Sequence, residues 1–124
     1  MRDLKNNVDA VKSIAPATYK TNQTGTGVDL RGYESALAIV YSGVLTDGTH
    51  TPKIQESDDD VTYTDAAADD LQGTFANISA GSIQRVGYIG GKRYIRIFAA
   101  SSGATGAIYG ALIMRGLPQH APLA

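Results

Sequence analysis

The sequence contains no cysteine, so neither a disulfide nor a thiolate metal site can hold the fold. That absence fits a chain that folds in a cytoplasm. Histidine is scarce: the two residues, His50 and His120, stand far apart and form no His-x-x-x-His ligand pair. No acidic residue follows Asp70. The opening residues Met1 to Asn7 are charged and polar with no apolar run behind them, which argues against a secretory signal. Only Ile95 to Met114 approaches the roughly 20 apolar residues of a membrane span, and Ser101 to Gly106 at its centre reads as a turn between two strands.

What is present has a globular composition. Of 124 residues, 43% are apolar and 19% charged, enough for one domain with one core. The net charge of −1 hides a division. Residues 1–70 carry all 12 acids and six bases, whereas residues 71–124 carry Arg85, Lys92, Arg93, Arg96 and Arg115 with no acid, giving −6 and +5. Either the two halves neutralise each other within one subunit, or acidic and basic faces of neighbouring subunits meet.

Catalytic patterns are missing. There is no Gly-x-Ser-x-Gly elbow, and Gly25-Thr26-Gly27 and Gly90-Gly91-Lys92 match neither the phosphate loop nor the dinucleotide fingerprint. Asp58, Asp59 and Asp60, with Asp65, Asp69 and Asp70, supply oxygens without the spacing of a twelve-residue calcium loop, and read as solvated turns. Arg93 and Arg96 lack the aromatic platform that single-stranded nucleic acid requires. Tyr33, Tyr63, Tyr88 and Tyr109 suit half-buried sandwich edges or interfaces, with packing the favoured reading.

Along the chain, β-branched and aromatic residues recur in short runs punctuated by glycine. Val8 to Ile14 reads as a strand or a helical turn, with Pro16 interrupting either, and Tyr19 to Gly27 as a loop. Val28 to Leu30 is a short strand. Glu34 to Leu45 is the clearest strand: its continuous centre Ala36 to Tyr41 implies burial on both faces, and Asp47-Gly48 predicts a hairpin to Thr51–Glu56 that leaves His50 in the loop. Val61 to Thr64 alternates like a half-exposed strand, Asp65 to Leu71 forms either a capped helical turn or an extended link, and Gly73 to Ile78 is a weak strand. Ile83 to Ile89, Arg93 to Ala100 and Ala107 to Arg115 form a meander. In Tyr94 to Phe98, alternation puts Tyr94, Arg96 and Phe98 on one face and Ile95 and Ile97 on the other. Residues 1–10 and 117–124 are expected to be extended arms.

Thr51 to Asp65 resembles a segment that recurs in small head-associated proteins of tailed bacteriophages and gene-transfer-agent particles. Leu4 to Ala17, Val28 to Ala36 and Tyr88 to Arg96 are similar to the same group. The resemblance implies a virion protein on the outside of the head shell, either a decoration protein or the base of a head spike or fibre. The implied partners are copies of itself, the major capsid protein and, for a fibre base, a head fibre protein. No catalytic residue, cofactor, metal, nucleic acid or membrane is implied, and the chain would be made in the host bacterial cytoplasm. The expected fold is all-β: one domain over residues 1–124, an antiparallel β-sandwich of jelly-roll type with extended arms. Candidate interface residues are Arg93, Tyr94, Arg96 and Arg115 on the basic side and Asp58, Asp59 and Asp60 on the acidic side. Alternatives are a neck or tail component, or a surface carbohydrate-binding module suggested by the tyrosines and acidic loops.

Overall fold

Two strands of 25 residues organise the molecule, whose computed structural model describes residues 4–118. Strand β1 spans Val8–Tyr19, β2 Gln23–Thr24, β3 Val28–Asp29, β4 Tyr33–Ser57, β5 Thr64–Asp65, β6 Leu71–Gln72, β7 Ile83–Tyr88 and β8 Tyr94–Pro118. All pairings are antiparallel, in the order β1-β8-β4-β7-β6, with β2 and β3 joined to β8 and β5 to β4. The single sheet curls as a half-barrel.

β4 and β8 stay paired from Tyr33↔Pro118 to Ser57↔Tyr94, with register shifts between Ser42 and Thr49. Neither expected turn is a chain reversal. Asp47-Gly48 lies inside β4 and Gly106 inside β8, and Asp47 pairs with Gly106, so the two turn signals are opposite sides of one bend. Gly48 has φ +85° and Gly106 φ +156°, backbone that L side chains rarely adopt; an extra residue in a bulge uses a left-handed glycine as readily as a hairpin does. The predicted hairpin and the last turn of the meander are therefore corrected to bulges in continuous strands, and the meander itself does not form, because β7 pairs with β4 and not with β8.

Before the bend β8 pairs with β2 and β3, and after it with β1. Pro16 does not end β1: it falls at a register shift between Ile14 and Ala17 on the edge strand, where a missing N–H breaks no ladder bond. The two-residue strand β2 occupies part of the expected loop, and β3 falls where the short strand from Val28 was expected. Gly25 makes the approach possible, because its N–H reaches Ile97 O at 2.8 Å and a Cβ there would stand 2.6 Å from that oxygen and 2.2 Å from Ser13 Oγ. Ser13 Oγ accepts from Ile97 N–H and donates to Thr26 O, both at 3.1 Å, stitching β1, β8 and the loop together.

The core lies on the inner face. Ala36, Ala38, Val40 and Ile54 from β4 meet Ile95, Ile97, Ala99, Tyr109, Ala111 and Ile113 from β8, with Ile14, Val86 and Tyr88 beside them. Ile95 and Ile97 are 0% exposed, and Tyr94, Arg96 and Phe98 take the other face, as the alternation predicts. His50 is not in a loop: it is fully buried in β4. Ser101 Oγ donates to Thr21 O, so the 2.9 Å contact to His50 Nδ1 is donated by the imidazole, which fixes the tautomer.

Ala68–Asp70 makes one 3₁₀ turn whose N-cap is Ala67, with no side-chain cap, so Asp65 does not cap it. Asp65 instead pairs in β5, and Gly73 to Ile78 forms no strand, although Ile78 N–H bonds His50 O at 2.8 Å. Of the expected arms, Val8 to Ala10 lie in β1 and Leu117–Pro118 in β8, because both ends find pairing partners. Residues 1–3 and 119–124 lie outside the described residues.

Candidate interaction surface

The outer face of the sheet has two unlike halves, one on each side of the bend. On the Tyr94–Ala100 side the charged groups Asp29, Lys53, Asp65, Arg93 and Arg96 are engaged. Lys53 Nζ lies 3.0 Å from Asp65 and Gln55 donates to Asp65 at 3.1 Å, while Arg96 Nε donates to Gln55 at 2.9 Å. The Arg96 guanidinium rests 3.9 Å from the Tyr63 ring centre, Lys53 5.2 Å from Phe98, and Arg93 5.0 Å from Tyr94. Arg93 grips Asp29 through two bonds of 3.0 and 2.8 Å, which holds the Asp29 carboxyl down at about 2. The hydrogen bond from Lys53 lowers Asp65, and burial followed by the bond to Asp60 raises the Tyr63 phenol.

The other candidate residues also find partners in their own chain. Arg115, only 19% exposed, donates to Asp9 and to Asp29 O and lies 4.4 Å over Tyr33. Lys92 bonds Asp58 at 2.8 Å. Asp59 accepts the N–H groups of Thr62 and Val61, both at 3.0 Å, which lowers its carboxyl, and Ser57 Oγ accepts those of Asp59 and Asp60. Tyr63 donates to Asp60, whose φ of +62° is left-handed. This turn projects Val61, 80% exposed, as its tip. Three ion pairs, Lys92–Asp58, Arg93–Asp29 and Arg115–Asp9, cross between the acidic and basic halves of the sequence. Neutralisation within one subunit thus absorbs those charges.

On the other side of the bend the outer face is apolar. Opposed residues in an antiparallel sheet share a face, so the pairings spell out rows. One row runs Lys12, Leu112, Ile39, Arg85; the next runs Ala10, Met114, Leu37, Gly87; a third holds Gly110, Tyr41 and Ile83. No carboxylate stands in these rows. The run Ala36 to Tyr41 is therefore buried on one face only, through Ala36, Ala38 and Val40, while Leu37, Ile39 and Tyr41 stay partly exposed because no second layer covers them. Ile83 is 73% exposed and Ile108 41%. A groove of about 500 Å³ crosses this face between Leu4, Val8, Leu37 and Met114.

Lys12 and Arg85 end the central row and make no ion pair among the described residues. Sequence reasoning missed them because β1 and β7 meet β8 and β4 only in the folded sheet. The strict alternation of Arg85 with Ile83 and Gly87 was the available signal.

A second depression of about 420 Å³ lies between Arg31, Tyr33, Glu34, Tyr88 and Lys92. Tyr88 Oη donates to Glu56 at 2.9 Å and accepts Lys92 N–H at 3.1 Å; burial chiefly pushes its phenol up to about 12. No helix among the described residues is long and apolar enough to cross a membrane. No protein-family model matches the chain, and neither does any curated protein.

Proposed function

We propose that the chain is a non-enzymatic structural protein of a tailed-phage-like particle. In this reading it is attached outside the head shell as a decoration protein or the base of a spike or fibre, and clustered with copies of itself. The observation that carries the reading is the uncovered apolar half of the outer face: contiguous apolar surface on a small domain marks a site of protein association. The strand-rich segments that resemble head-associated proteins give the association its setting. The two half-sheets that share β4 and β8 through the bend are read as a jelly-roll-type sandwich, with the major capsid protein beneath. A standard contact of roughly 1,600 Å², repeated by symmetry, would strengthen a shell or anchor a fibre. Electron microscopy of purified particles tests this: symmetric density of this size on the head is expected. Bare heads, or density only below the portal vertex, would sink it.

The depression between Tyr33, Tyr88, Arg31 and Glu34 favours a second reading, a module that binds host glycans, since it joins aromatic rings with charged side chains. A glycan array without hits above background removes it.

A further inference from the structure

We infer that copies of this chain associate head to tail, the Val61 tip of one docking on the Lys12–Arg85 row of the next. The inference deepens the proposed function by naming the self-contact, and it rests on that reading for the clustering alone. The row has an apolar centre, Leu112 and Ile39, between two cations that make no ion pair among the described residues. The cations stand three strand spacings apart, on the order of 14 Å. That chemistry calls for an apolar group accompanied by carboxylates.

A face-to-face pairing by two-fold symmetry does not supply them. An axis along the strands lays Lys12 over Arg85 of the copy, and an axis along the row lays each cation over itself; both oppose like charges on a face without acids. The occupant must come from another part of the surface. Among the described residues Val61, at 80%, is the most exposed large apolar side chain, and it follows Asp59 and Asp60, whose exposed carboxylates have no cationic partner there. The turn projects from the end of β4 where Ser57 pairs with Tyr94, on the far side of the bend from the row. Tip and row therefore occupy different regions of one subunit, which makes the contact heterologous. Such a contact closes a ring when its rotation permits. The −6 and +5 division keeps a role here through Arg85 of the basic half and Asp59 and Asp60 of the acidic half, while Lys12 comes from the acidic half itself.

The test uses two variants, K12E/R85E and V61K, all at exposed positions, with amide NMR spectra confirming the fold; K12Q/R85Q and V61S stand in if either spectrum collapses. Sedimentation velocity should give wild-type mass as a multiple of 13.0 kDa, and each variant alone at 13.0 kDa. Mixed, they retain one intact tip and one intact row, so a 1:1 complex of twice 13.0 kDa should form and grow no further. A monomeric wild type, a variant that keeps the wild-type mass, or a mixture that stays monomeric would overturn the contact. The expected pattern with bare heads in microscopy keeps the contact and drops the particle reading. Head density from a protein indifferent to these substitutions does the reverse.

Discussion

Replacing Asp29 with asparagine isolates one charge pair that joins the acidic and basic halves. Asparagine can still accept the Arg31 N–H that Asp29 Oδ1 accepts at 2.9 Å, so the turn keeps its shape while the charge across from Arg93 disappears. The carboxyl falls from its ordinary 3.8 to about 2, and at about 1.4 kcal/mol for each pH unit the full conversion is about 2.5 kcal/mol. Asp29 and Arg93 side chains are 38% and 43% exposed, so water screens the pair and about 1 kcal/mol is the realistic figure. The native pKa lies below the unfolded one, so this stability is complete above about pH 4 and is lost as pH falls through about 2. Urea unfolding of both proteins across that range should show a gap of about 1 kcal/mol at pH 7 that narrows below about pH 4 and has shrunk to a small remainder at about pH 2. An undiminished gap at about pH 2 would mean that Asp29 acts through shape, and no gap at pH 7 would mean that the ion pair contributes nothing.

Three further substitutions probe the frame. Ile97→Ala, at a 0% exposed position in the core, should cost about 3–4 kcal/mol in denaturant unfolding. Gly25→Ala sets a methyl against Ile97 O and Ser13 Oγ, and should lower stability by about 2–3 kcal/mol while shifting the amide resonances of Ser13, Thr26 and Ile97. Tyr88→Phe strands Glu56 and the Lys92 N–H, at a cost of about 1–2 kcal/mol; in the parent protein, ultraviolet titration should find this phenol still protonated when an ordinary tyrosine has ionised, since its pKa is about 12.

Short-range pattern was readable. The alternation from Tyr94 to Phe98 reports the inner and outer faces, because side-chain direction in a strand depends on nothing beyond the strand. The bend was not readable. Asp47-Gly48 and Ser101–Gly106 carry turn chemistry, and only their pairing with each other makes them bulges in continuous strands. The candidate interface shares that limit: Arg93, Arg115 and Asp58 look available until Asp29, Asp9 and Lys92 are brought beside them. The Lys12–Arg85 row draws on four strands distant in sequence, so no local window contains it.

The shared length of β4 and β8 decides how the chain comes to be folded. Their nearest partners, Ser57 and Tyr94, already close a loop of about 37 residues, and every pair toward Tyr33↔Pro118 closes a longer one. During synthesis β4 can meet β5 and β7 on one edge as they emerge, but its other edge has no partner until β8 has followed it from the ribosome, so the inner-face residues Ala36, Val40 and Ile54 wait for most of their cover. Folding becomes one late, slow event in the millisecond-to-second class of non-local β proteins. Until it happens, the nascent chain is a substrate for chaperones and for its own kind.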